Sequence, residues 1–266
     1  MPSEPIADCQ VQLHANLDEV LATLDFSMSA FKTYASSGQI LGWVASQQDL
    51  RAVVEEFRKS TRLTDLNFLY QALYVQAWSA FELFVRALIV AYLETICNQA
   101  ADYDSMKKAK LIERNLYHTG IALQQVLENR SNVTIDFFSV ARNVATSIPD
   151  SKKVVLNTMS FGIFLKGPSV QGIEEALKRI GVKEFNWDNV GSAKPVQKAF
   201  GTGKPRETTN QLKEFLQNAE KRRNSIVHRG ERIPQITETD LRHEIAVFNV
   251  VGDALADFLK TYVSKL

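Results

Sequence analysis

The chain has 266 residues, of which 45% are hydrophobic and 23% charged. That balance supports a packed core and rules out a chain that is disordered or coiled-coil throughout. The formal net charge is only +1, but residues 194–232 carry ten Lys or Arg against four acids, a net +6 that leaves −5 for the rest. Such a basic segment is either a local attractor for polyanions or an ordinary solvated helix face followed by a charged loop.

The opening MPSEPIADCQ holds acids and no apolar run, so no secretory leader is expected. Cys9 and Cys97 offer neither a CxxC nor a disulfide framework, as in a reducing, cytoplasmic setting. Val11, Leu13, Leu17, Val20, Leu21 and Leu24 recur at three- and four-residue spacings. They predict an amphipathic helix over residues 8–34. Ser36-Ser37-Gly38 should break it, with a short helix following over 47–59.

Residues 66–99 contain no Pro or Gly and are apolar on nearly every face, which predicts a central helix. Glu82 and Arg86 interrupt it at i and i+4, acid first, the favourable order for a pair. The most apolar stretch, 83–93, includes Arg86 and falls short of the roughly 20 apolar residues a membrane span needs. Helices are expected over 104–128 and 135–147, the latter stopping before Pro149. The segment 149–204 is mixed: a helix-like 170–180, then VGSAKPVQKAFGTGKP, read as loop and as an insertion or flap.

Residues 206–227 predict the most informative helix, with Thr208 or Thr209 as its cap and Gly230 with Pro234 as its stop. A final amphipathic helix follows from Thr239, carrying Leu241, Ile245, Phe248, Val251, Leu255, Phe258 and Tyr262. No convincing strand pattern or repeat is present, so the fold is expected to be all-α.

With Leu212 at zero on a helical wheel, Leu216, Ala219 and Ile226 fall within about 40° of it. Arg223 falls at about 20°, inside that apolar stripe, while Asn224 and His228 sit near 120° and 160°. A buried Arg is costly unless paired. Glu82 is the obvious supporting acid, and the competing reading has Arg223 meet an anionic ligand. A lone His at a helix end is more often a capping or surface residue than a catalyst.

Together, Arg223, Asn224 and His228 in KRRNSIVHRG resemble the Rx4–6H signature of HEPN domains, in which Asn commonly follows the Arg. The apolar helix AWSAFELFVRALI is similar to the family's core helix, which often carries an acid such as Glu82. The resemblance covers residues 63–130 and 205–266 best and is closest to the RiboL-PSP branch. It implies one HEPN-like antiparallel helical bundle over 1–266, with an N-terminal helical extension at 1–60 and an insertion at 149–204.

The resemblance also implies a metal-independent endoribonuclease, generally a homodimer, with no cofactor. RNA supplies its own nucleophile, the 2′-hydroxyl. His228 would act as general acid or base, Arg223 would hold the phosphate, and Asn224 would orient the imidazole or take a phosphate oxygen. Arg222, Arg229 and Arg232 are candidates for flanking phosphates, or simply solvated cations. Because Arg223 and His228 lie about 140° apart on a straight helix, either the helix ends before His228 or a second protomer completes the site. An antitoxin or regulatory partner fits a toxin or defence effector. The alternatives are a HEPN-like module that binds RNA or a nucleotide without cutting it, and a helical scaffold with Arg223 ion-paired in its core.

Other signals fail. GTGKP at 201–205 lacks the phosphate-loop pattern, since Lys198 and Pro205 stand at the required Gly and Ser/Thr positions. His14, His118 and His243 are scattered, with no HExxH and no Cys/His cluster, so no metal is expected.

Overall fold

The computed structural model describes residues 4–44, 66–99, 103–108, 110–128, 136–149, 153–162, 167–228 and 235–265. All regular structure among them is helical. In chain order the helices are α1 (Glu4–Val44), α2 (Leu66–Gln99), α3 (Tyr103–Lys108), α4 (Leu111–Leu127), α5 (Phe137–Ala145), α6 (Thr158–Gly162), α7 (Val170–Arg179), α8 (Trp187–Gly191), α9 (Lys194–Ala199), α10 (Pro205–His228) and α11 (Glu238–Val263).

The centre is α2, packed against α1, α11, α10, α6 and α7. Trp78, Phe81, Tyr74, Tyr92 and Ile89 on it are fully buried. Phe248 of α11 joins the layers: it stacks on Phe81 at 5.1 Å and meets Phe215 of α10 edge-on at 5.5 Å. Helix α1 lies along both α2 and α11 and buries Leu13, Leu17, Val20 and Leu24. Val11 falls outside that stripe and is 69% exposed. The helical extension therefore shares one continuous core with the residues that follow it.

Several expected boundaries moved. Helix α1 continues through Ser36-Ser37-Gly38 to Val44; one glycine costs a helix interior only about 1 kcal/mol relative to Ala, too little to end so long an element. The short helix expected over 47–59 lies outside the described residues. The helix expected over 104–128 is two, α3 and α4, parted at Lys110, whose φ is +59°. Asp136 caps α5 by accepting from the Phe138 and Ser139 amides.

The stretch read as loop, VGSAKPVQKAFGTGKP, contains α9 and the end of α8. Both pack against α10 and α11, and Trp187, Val190 and Val196 are completely buried. This part of the insertion is thus core rather than flap. Helix α8 approaches α10 closely: a Cβ at Gly191 would meet the Thr209 backbone N at 3.0 Å and Cα at 3.1 Å. Thr237, two residues before the expected start of the last helix, caps α11 in a reciprocal box with Asp240. Among the described residues no helix is long and apolar enough to cross a membrane.

Candidate functional site at the C-terminal end of α10

Helix α10 begins at Pro205, whose fixed φ and missing N–H suit a first helical position. Thr208 and Thr209 are not its caps. They lie inside the first turns, buried, and their hydroxyls donate back to the Lys204 and Pro205 carbonyls at 3.1 and 2.9 Å. Leu212, Leu216 and Ala219 form the buried stripe that the wheel anticipates, and Ile226 packs on the core at its edge.

The helix runs without interruption to His228, its last residue. It does not end before His228, so Arg223 and His228 diverge by about 140° on one continuous helix. The Arg229, Gly230, Arg232 and Pro234 positions lie outside the described residues.

Arg223 is half-buried. Its Nη1 donates to the Asn224 Oδ1 at 3.1 Å, at the surface. Its Nε is buried and has no hydrogen-bond partner among the described residues. A guanidinium nitrogen in that state carries a desolvation cost of about 1–3 kcal/mol that an incoming oxygen could offset. Asn224 and His228 are both exposed; the Asn224 carboxamide oxygen is engaged by Arg223, not by the imidazole.

Glu82 does not support Arg223. It takes the Arg86 guanidinium one turn along α2, at 2.7 Å. The acid that meets α10 is Glu244 of α11, 93% buried, and its partner is Arg222. The Arg222 guanidinium also sits over the Tyr74 ring, 5.7 Å from its centroid. The Tyr74 hydroxyl in turn donates to the Ala219 carbonyl at 3.0 Å. Ala219 is four residues before Arg223, so this carbonyl is the one its amide bonds in the helix. Arg222 is therefore an ion-paired packing residue rather than a free arm for phosphate.

Burial pushes the Glu244 carboxyl above its ordinary range, with the Arg222 charge pulling the other way. Burial likewise raises the Tyr74 phenol. Neither Tyr74 nor Glu244 stood out in the sequence. The signal was present for Glu244: it follows Leu241 by three and precedes Phe248 by four, on the apolar stripe of α11. An acid there asks for a buried cation. The two cysteines are free, and burial raises both thiols, Cys9 to about 11, away from nucleophilic use.

The site is thus the last two turns of one helix: an arginine with part of its fork unsatisfied, a carboxamide aligned on it, and an exposed imidazole, braced from behind by Tyr74, Arg222 and Glu244. A family model described as RiboL-PSP-HEPN matches residues 46–261. No curated protein and no solved structure matches the chain. HEPN domains are ribonuclease-related, and the matched range runs from beyond α1 to near the end of α11, taking in Arg223, Asn224 and His228. On that match, and with its all-helical architecture, the chain belongs to the RiboL-PSP-HEPN family.

Proposed function

We propose that the protein is a metal-independent endoribonuclease whose site is Arg223, Asn224 and His228. The observation that carries this reading is the Arg223 guanidinium, half-buried with its Nε unbonded among the described residues, beside an arginine that already has its acid. A planar fork in that condition suits a phosphate diester.

In the reaction, the RNA 2′-oxygen attacks its own phosphorus and loses its proton to an imidazole. The bond to the 5′-oxygen breaks as that oxygen takes a proton. The products are a 2′,3′-cyclic phosphate and a 5′-hydroxyl. Arg223 stabilises the charge that gathers on the non-bridging oxygens, and Asn224 holds the guanidinium in position. Proton transfer by a placed imidazole is typically worth about 10²- to 10⁴-fold.

Because Arg223 and His228 point about 140° apart, a second copy of the chain supplies the missing half. In a two-fold homodimer, one His228 acts as base and the other as acid. Such an enzyme, acting on cellular RNA in the cytoplasm, fits a toxin or defence effector restrained by an antitoxin or sensor partner.

The test is incubation of wild type, Arg223→Ala and His228→Ala with total tRNA in EDTA, reading product lengths and end groups. Cleavage by wild type alone, leaving cyclic phosphates, is expected. No cleavage by any of the three would leave an RNA-binding module without turnover. Equal cleavage by all would sink the site assignment, and a monodisperse monomer at micromolar concentration would remove the two-fold arrangement.

A further inference from the structure

The reading above concerns the last two turns of α10, but the same face continues along the whole helix. On the wheel that puts Leu212 at zero, Arg206, Asn210, Lys213, Gln217, Lys221, Asn224 and His228 all fall between about 100° and 180°. Their spacings are four, three, four, four, three and four residues, the pattern of one helix face. Every one is exposed except Lys213, which is half-buried. At 1.5 Å per residue the stripe is about 33 Å long.

Its composition is selective. It holds cations, carboxamides and the imidazole, with no acid and no apolar side chain. The acids of α10 stand off it: Glu220 near 80°, Glu214 near 200° and Glu207 near 220°. Gln217, itself on the stripe, also lines a groove with Glu220 and with Glu174 and Glu175 of α7, so negative charge flanks the stripe at mid-length on the Glu220 side. Before the helix start in the chain, Lys204, Lys198 and Lys194 are also exposed.

We propose that this stripe is the path of an RNA single strand, running from the site at Asn224 and His228 towards the N-terminal end of α10. A protein partner would need a desolvated apolar or aromatic anchor, and the stripe offers none. Cations interleaved with carboxamides match a repeating phosphate-sugar backbone, which accepts hydrogen bonds at every step. A stripe of this length is of the scale that tracks a single-strand backbone; OB folds, for comparison, hold roughly 4–16 nucleotides. The inference rests on RNA being the substrate and adds where the strand lies.

The experiment uses the full chain and a labelled strand of about 16 nucleotides, methylated at each 2′-oxygen so that it has no nucleophile. Binding is read by fluorescence anisotropy across a salt series. The variant combines Arg206→Gln, Lys213→Gln and Lys221→Gln. The control removes the same charge elsewhere, with Lys153→Gln, Lys183→Gln and Lys265→Gln, all exposed in wild type. Each lost phosphate contact lowers the slope of log affinity against log salt by about 0.7 for a single strand. The stripe variant should therefore lose about 2 from the slope, with affinity falling on the order of 10- to 100-fold. The control should match wild type, and so should Arg206→Lys with Lys213→Arg and Lys221→Arg. Equal losses in stripe and control variants would mean bulk charge and would overturn the path. An unchanged slope in the stripe variant would place the strand elsewhere and overturn it too. Polyglutamate binding with the same slope loss would assign the stripe to acidic polypeptides instead. If no protein binds RNA, wild type included, the reading of RNA as substrate falls and the path with it.

Discussion

Replacing Glu244 by Ala tests the brace behind the site. In wild type the carboxylate is 93% buried and holds Arg222, whose side chain is 31% exposed. Breaking a fully buried pair by deleting one partner costs about 3–5 kcal/mol. Arg222 keeps some contact with water, so the cost here should be nearer 2–3 kcal/mol. For a chain of this size each kcal/mol moves Tm by roughly 2–4 °C, and the variant should melt about 5–10 °C below wild type.

The converse change, Arg222→Ala, leaves the acid buried alone, and its signature is a pH dependence. Glu244 already has a folded-state pKa above its ordinary 4.5, because burial outweighs Arg222. Folding therefore favours the protonated acid. Its contribution is fully present below pH 4.5 and is lost as pH climbs through the folded value. Without Arg222 that value rises further and the loss at neutral pH grows. Urea unfolding of wild type and Arg222→Ala, from acid to neutral pH, should show a stability gap that widens with pH. A gap that stays constant, or narrows, would refute the coupling and leave Glu244 a passive core residue.

Burial, helped by Arg179 and Arg114, lowers the His118 imidazole from 6.5 to about 4. Folding here favours the neutral ring, so its stabilisation is present above pH 6.5 and is lost as pH falls towards 4, by at most roughly 3 kcal/mol. An NMR titration placing this imidazole near its ordinary value would contradict that. Gly191→Ala should destabilise by about 1–3 kcal/mol, since the new Cβ would press on the Thr209 backbone at 3.0–3.1 Å. A thermal melt identical to wild type would mean that α8 shifts freely on α10.

Much of the fold was legible because periodicity and burial coincide. Helix α2 spans 66–99 as expected, since nothing in it breaks a helix; its neighbours cover most of it and leave one stripe, with Gln76, Leu83 and Glu94, exposed. Two of the differences share a cause: a single Gly, or a Pro in the first turn, does not by itself end a helix. Gly38 was read as a stop although its cost is small against a helix of 41 residues. Pro195 and Pro205 were read as loop markers, yet each stands in the first turn of a helix, where a proline loses no hydrogen bond. The break at Lys110 left no trace, because no Gly, Pro or Asn stands in KKAKLI to mark the positive φ that Lys110 adopts.

The helix that carries the candidate site was legible and the wiring of its side chains was not, and the two adjacent arginines show why. A wheel places Arg223 at the centre of the apolar stripe and so asks for an acid beside it, with Glu82 the expected one. In the structure Glu82 takes Arg86, and the acid that reaches α10, Glu244, takes Arg222, about 100° round the helix from Arg223. What a wheel lacks is where the core ends. Leu212 and Leu216 are wholly buried and Ala219 nearly so, but Ile226 is only half-buried. By Arg223 the stripe has reached the rim of the molecule, so the guanidinium keeps its Nε enclosed while its Nη1 meets Asn224 at the surface. Arg222 points instead towards α11 and α2, where Glu244 and Tyr74 respectively close around it. A helix that runs off the edge of its own core leaves the last arginine of its apolar face partly desolvated, with its Nε unbonded among the described residues. That is the condition under which a phosphate oxygen gains most from binding it.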